Sequence, residues 1–492
     1  MQAPDVASSF HSLDGEFTLT SELRLDRYSE NAAETCTITF TNPKKVGTFI
    51  NPPALETLLA APPRFVDIPF NGDDKGSFSL IQKDKSKSKK VKGTTSKTAT
   101  STSFVTRAIA REQLATILEF RHELCFMLVN MGRTVALTDF PCKSKEPLAV
   151  LNFRDASVTA VDCYMVNSQE LQTIIGFDTG DILAWFPVPG KFARMNKQGL
   201  VNRSGVTSVK WMPPGPRDNC FVAGFEDGSV VIFEKDKDDP TSAYAPSSAP
   251  SYAPPAADDN ELFSLIRPFK LGKHNPCGYW QVGRKAISAI CFSPDTEHVA
   301  IASLDGHLRI IHFVQEKLVE TYRTYYGGIT CIDYSPDGKY ILTGGQDDIV
   351  TIWQIGKGVV ARCHGHSSWV SGVAFESMPP HDNRDSYRFA SIGEDLRLFL
   401  WEFSLAQLNR PPKTSRKQVG ETEPLTNADG AHPVLSRFDV PTLAPLEAEG
   451  FRLHHAPLSA LCFGTRSLIT ADRQGFVRIW TRLLTDREKN SS

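Results

Sequence analysis

No apolar run in this sequence approaches the roughly 18 to 20 residues that cross a bilayer, and the opening MQAPDVASSFHSLDGEF lacks the basic-then-apolar plan of a signal peptide. The expected location is therefore intracellular: the cytoplasm, with the nucleus as a further compartment. Ten cysteines are scattered along the chain without a CxxC pair, which argues against a disulfide framework and a thiolate metal site. Four of them, Cys163, Cys291, Cys331 and Cys462, fall inside apolar strand runs and read as small buried hydrophobes. A net charge of −2 offers no general attraction to nucleic acid. Also missing are a GxSxG elbow, an HExxH helix, a Walker-type phosphate loop and the kinase signatures, so no common catalytic constellation is in place.

What the chain does have is repetition. At 492 residues it exceeds the usual single core, and its 33 glycines and 32 prolines favour short strands between frequent turns. The stretch GGITCIDYSPDGKYILTGGQDDIVTIW, residues 327–353, reads as a strand, a Pro-Asp-Gly turn, a second strand, an acidic tight turn and a third strand closed by tryptophan. A blurred copy ends at Ile311. Similar endings occur at Phe140, Trp185, Phe233, Ile311, Trp353, Trp401 and Trp480, with successive spacings of 45, 48, 78, 42, 48 and 79. Four spacings match the roughly 40 to 50 residues of a four-stranded propeller blade, and two match a blade plus an insertion. A lone blade cannot bury both faces, whereas a closed ring can. The expected fold is all-β, a seven-bladed β-propeller with disordered insertions.

The expected boundaries are an N-terminal segment over 1–80, a Lys/Ser/Thr-rich mobile loop over 81–103, the propeller over 104–482 and a tail over 483–492. A Pro-rich insertion occupies 235–260 and a second insertion 405–446. The run TCTITF, residues 35–40, is read as a strand that pairs with the final blade and closes the ring. Both insertions follow a third strand, so they are expected to emerge at the end of the propeller opposite the loops that lead into inner strands.

The unit CHGHSSWVSGVAF followed by ASIGEDLRLFLW resembles the WD-repeat family. The resemblance implies a buried structural relay of four residues: His366 of the Gly-His step, Ser371 as the inner-strand hydroxyl, Asp395 as the turn acid and Trp401 as the closing indole. The last unit departs from the pattern, with Gln474 where the turn acid is expected. From about residue 104 to 482, most specifically in the middle units, the chain is similar to the fungal CreC-type family of catabolite-repression WD-repeat proteins and its animal relatives. That resemblance implies a non-catalytic subunit that binds, stabilises or activates a ubiquitin-specific protease, CreB in the fungal case, in carbon catabolite repression. No cofactor, metal, nucleic acid, membrane or small-molecule substrate is implied. The Phe-Arg-Arg-Gly step of phosphoinositide-binding propellers is missing.

His364 and His366 lack a completing ligand set, and the paired acids Asp347-Asp348 and Glu394-Asp395 sit in recurring turns, so all read as structural. Tyr326 and Trp369 lie in loops leading into inner strands, among small and polar residues. They are the candidate partner-binding anchors, against a reading in which they cover the blade rim. The competing function is a substrate receptor of a ubiquitin ligase or a general peptide-binding scaffold; identification of the co-purifying partner separates the two.

Overall fold

A computed structural model describes residues 6–12, 15–25, 36–40, 64–67, 75–77, 104–119, 125–140, 142, 146–166, 170–186, 191–212, 219–244, 264–266, 274–376, 386–404, 440–464 and 466–483. The Lys-rich segment over 81–103, residues 245–260 of the Pro-rich insertion, residues 405–439 of the second insertion and residues 484–492 of the tail lie outside them.

The described strands form seven sheets, almost wholly antiparallel. Their inner strands are Cys36–Phe40, Val158–Val166, Val206–Trp211, Ile287–Phe292, Ile329–Tyr334, Val370–Phe375 and Leu458–Phe463. Each packs against the next, and the last against the first, so the ring is closed. The chain is a seven-bladed β-propeller. Every sequence-marked ending, Phe140 through Trp480, lies at or just after a third strand, and all seven are fully or almost fully buried. Blades stack face to face, which is why their strands are apolar on both sides.

In six blades the inner strand slips register against the second strand between its first and third residues, as between Val370 and Gly372. The skipped residue always bears a hydroxyl: Thr159, Thr207, Ser288, Thr330, Ser371 or Ser459. Thr159, Thr207 and Thr330 donate to the carbonyls of Gly176, Gly224 and Gly344 at 3.1, 3.1 and 3.0 Å. A bulge frees one carbonyl from the ladder, and the hydroxyl satisfies it. Two inner-strand carboxylates tie neighbouring blades. Asp162 accepts the Trp211 N–H and Asp333 the Phe375 N–H, each at 2.7 Å.

The closing strand differs from the sequence-based expectation. Cys36–Phe40 pairs with Phe126–Met131 and is the inner strand of blade one. The ring is instead closed by Gly15–Arg24, which runs antiparallel to Phe476–Arg482 as the outer strand of blade seven, with Ser9–Ser12 beyond it. Phe10, Phe17, Leu23 and Leu25 are buried there, and Phe10 packs edge-on against Trp480 at 5.4 Å. The propeller thus begins well before residue 104. Between the inner and second strands of blade one, Phe65–Asp67 and Val105–Arg111 extend that blade outward, and Lys75–Ser77 edges blade two. The short helix Leu114–Glu119 buries Leu114 and Ile117 in the blade-one core.

The insertions also depart from expectation. Residues 235–244 are not a free excursion: Asp239 accepts the N–H groups of Asn196 and Lys197, both at 2.9 Å, and the Tyr244 N–H donates to Leu200 O at 2.6 Å. This part is docked on the loop leading into blade three, and Ser264–Ile266 returns as a fifth strand beside Gly278–Gln281. At the end of the second insertion, Thr442–Leu443 lies parallel to blade five's outer strand. Leu446 and Phe451 then bond Leu400 and Leu398, the outer edge of blade six. Uncovered outer strands are open to pairing with other chains, and the insertions cover them.

Candidate functional site

Blade six shows how the rim is held. Its third strand, Leu398–Ser404, points Trp401 into the sheet interior, where Nε1–H donates to Ser391 Oγ at 2.8 Å. Ser391 Oγ also lies 2.8 Å from His366 Nε2, and His366 Nδ1 lies 3.0 Å from Asp395 Oδ2. The hydroxyl accepts from tryptophan and has its own proton free for Nε2, an arrangement in which the imidazole proton sits on Nδ1, facing the carboxylate. Burial works against the Asp395 carboxylate. The bonds from His366 and from the Ser367 and Arg397 N–H groups outweigh that cost and hold its pKa below the usual range.

The hydroxyl of this relay is Ser391, not Ser371. Ser371 occupies the inner-strand bulge and donates to Leu458 O of blade seven at 2.6 Å and to Ile392 O at 3.3 Å. The relay needs a hydroxyl on the second strand, beside the indole, and an inner-strand residue at the bulge faces the next blade instead. The same set recurs in blade seven: Trp480 Nε1 donates to Thr470 Oγ1 at 3.0 Å, His454 Nε2 lies 2.8 Å from it, and His454 Nδ1 lies 2.9 Å from Asp472. Burial lowers the His454 pKa despite Asp472. The acid is thus supplied by Asp472 at the strand end, which accepts the Gln474 and Phe476 N–H groups, so the turn does not need one at 474. Blade five retains the indole bond, Trp353 to Thr343 at 2.8 Å.

In each case the hydroxyl stands ten residues before the tryptophan. That spacing was the available signal. Trp185 has Ile175 there and its Nε1 is unpaired. Removing the Ser391 hydroxyl strands two buried partners, so Ser391→Ala should cost about 2–3 kcal/mol, against about 1 kcal/mol for Ser371→Ala, measured by urea denaturation.

The relay fixes the loop that carries Trp369. Ser367 N–H donates to Asp395 Oδ2 at 3.0 Å, and Glu394 N–H donates to Trp369 O at 2.9 Å. The indole itself projects outward and is 46% exposed. One blade earlier, the loop before Ile329 is pinned by Gly328 N–H to Gln346 Oε1 at 3.0 Å and by Thr324 Oγ1 to Gly327 O at 3.1 Å. Gly327 has φ +69, and a Cβ there would press on Gln346 at 3.0 Å, so the tight approach of loop and turn requires glycine. Tyr326 and Tyr325 stand out from this loop, 73% and 55% exposed. Sequence reasoning missed Tyr325, whose ring faces the Arg362 guanidinium at 5.3 Å.

Between the two loops sits the blade-five turn with Asp347 and Asp348. Burial raises both carboxyl pKa values, Asp347 to about 6, with Arg362 only partly offsetting the effect there. Three exposed aromatics on rigid loops around an acidic turn form a surface suited to a protein partner. The paired acids otherwise act as turn acceptors: Asp347 takes the Ile349 N–H and Asp395 the Arg397 N–H, each at 3.2 Å. Among the described residues Asp295, Glu297 and His298 could share a cation, but two of them are exposed, and Asp295 already accepts the Glu297 N–H at 2.9 Å.

Comparison with known proteins adds two findings. Residues 278–312 and 316–354 match the family described as WD domain, G-beta repeat. Each match begins with the outer strand of one blade and ends with the third strand of the next, a stagger that leaves the last blade's outer strand to be supplied from elsewhere in the chain. The chain is also 33% identical over 396 residues to the UBP9-binding protein bun62 of Schizosaccharomyces pombe, covering 73% of this chain and 71% of that protein. Among the described residues no helix is long and apolar enough to cross a membrane.

Proposed function

Because the chain belongs to the WD-repeat family that includes the UBP9-binding protein bun62, we propose that it is a non-catalytic subunit that binds and stabilises or activates a ubiquitin-specific protease. The observation that carries this reading is the outward-facing pair Tyr326 and Trp369. Each is held by a loop whose backbone is fixed from beneath, and each lies on the propeller end where leading loops converge. Large rigid side chains that remain exposed in the isolated protein are what a partner's pockets can take without ordering cost.

The convergent acid, imidazole and hydroxyl groups of blades six and seven support a non-catalytic role. Their side chains are buried and spend their hydrogen bonds on one another and on the backbone. A place in carbon catabolite repression follows from the resemblance to CreC-type proteins and belongs to the same proposal.

The test is purification of the tagged full chain from extract of its own source, with identification of what comes with it. A ubiquitin-specific protease in near-stoichiometric amount is expected from the wild type, and a much reduced amount from Trp369→Ala. A ubiquitin-ligase subunit in place of a protease would overturn the reading.

A further inference from the structure

Blade three carries a cluster of nucleophilic and charged side chains remote from the aromatic rim. Cys220 opens its second strand, Cys220–Phe225, and Glu234 ends its third, Ser229–Glu234. Lys237 follows in the next turn, and Cys277 immediately precedes the outer strand Gly278–Gln281. Lys237 Nζ donates to Cys277 Sγ at 3.4 Å and lies 2.9 Å from Glu234 Oε2, which is itself 3.6 Å from the same sulfur. The Cys220 thiol, in a residue only 5% exposed, is directed at Cys277.

This arrangement is built rather than incidental. Asn275, 2% exposed, accepts the Glu234 N–H through Oδ1 at 2.9 Å. Its Nδ2 donates to the carbonyls of Glu234 and Lys237, both at 3.1 Å. The turn that carries Lys237 is thereby clamped to the residues before Cys277, and the ammonium is held over the sulfur.

Six of the other cysteines behave oppositely. Burial pushes the thiols of Cys142, Cys163, Cys291, Cys331, Cys363 and Cys462 up, which keeps them protonated and inert. Cys277 is half-buried. The bond from the Cys220 thiol outweighs its burial and, with the Lys237 ammonium and against the opposing Glu234 carboxylate, brings its pKa down to about 7. The thiolate is the nucleophile, so at neutral pH this cysteine stands apart from those six.

We propose that Cys277 is a redox modification site that forms a mixed disulfide with low-molecular-weight disulfides of the glutathione class. The Cys277 thiolate attacks one sulfur of the small disulfide. A new S–S bond forms as the old one breaks, and the other half leaves as a thiolate that solvent protonates. Cys220 stands across the third strand, so closing a Cys220–Cys277 disulfide would require the backbone to move in from roughly two strand spacings to the about 7 Å of Cα separation that such a bond spans. An external thiol removes the adduct. Modification also removes the thiolate from beside Lys237 and leaves the ammonium to Glu234 alone, at the root of the docked segment 235–244.

The test uses the full chain, glutathione disulfide and iodoacetamide, read by peptide mass spectrometry. One glutathione per chain is expected, at Cys277, and it should disappear in Cys277→Ser and on adding dithiothreitol. Alkylation of Cys277 at pH 7 should be at least about tenfold faster than at any other cysteine, with a midpoint near pH 7. Lys237→Met should move that midpoint upward and slow the reaction in a chain whose melting temperature is unchanged. Alkylation of Cys277 no faster than the others, a midpoint at pH 8.5 or above in the wild type, or glutathione at a different cysteine would overturn the proposal.

Discussion

A chain beginning at residue 26 should fail to hold its ring closed. Blade seven would lose its whole outer strand, a ladder running from Phe17 opposite Arg482 to Arg24 opposite Phe476, and with it the cover over Trp480. Phe10, Phe17, Leu23 and Leu25 leave the core together. At about 1.5–3 kcal/mol for each large apolar side chain, the lost burial is on the order of 6–12 kcal/mol. That is comparable to the entire stability of an ordinary domain, roughly 5–15 kcal/mol. The truncated chain should be aggregated or dye-binding at 25 °C, and Phe17→Ala alone should cost about 3–5 kcal/mol in urea denaturation. If residues 35–40 closed the ring, removal of 1–25 would shift the melting temperature by only a few degrees. The two arrangements are separated by one thermal melt.

The second large effect is on partner affinity. Trp369→Ala and Tyr326→Ala should each weaken binding to the ubiquitin-specific protease by about 2 kcal/mol or more, roughly thirtyfold, measured by calorimetry or interferometry. Stability should not follow. Both rings project from loops whose backbone bonds remain intact after truncation, so the melting temperature of each variant should stay within about 2 °C of wild type. Val314 supplies the control. It is 77% exposed, but it lies in the turn after a third strand, at the opposite end of the propeller. Val314→Ala should bind as the wild type does. Equal losses from Val314→Ala and Trp369→Ala would mean that the aromatic rim is not the contact.

Much of this architecture is legible in the sequence because third strands carry their own punctuation: an acidic turn before them and a large residue at their end. The markers from Phe140 to Trp480 therefore find the blades. What escaped has a common cause: it depends on pairing between distant segments. Gly15–Arg24 is an outer strand with half-exposed Thr, Ser and Glu positions between its buried ones and a bulge near Leu19, so its alternation is broken. TCTITF looks like a lone strand because its partner Phe126–Met131 begins some ninety residues later.

The relay serine is hidden from the sequence for a related reason. Ser371 and Ser391 are both hydroxyls near the right elements, and only cross-strand register puts Ser391 beside Trp401. The docking of residues 235–244 rests on Asp239 reaching the backbone of a loop forty residues earlier, which composition does not reveal. The exposed aromatics were readable because their neighbours, Gly327, Gly328, Ser367 and Ser368, are too small to bury them.

The proposed role is action on a ubiquitin-specific protease through the aromatic rim. The direct measurement is hydrolysis of a ubiquitin–fluorophore conjugate by the purified ubiquitin-specific protease as the full chain is titrated in. A saturable rise in turnover is predicted, with the half-point shifted about thirtyfold by Trp369→Ala. Turnover that stays flat to excess, with no association between the two proteins, would contradict it.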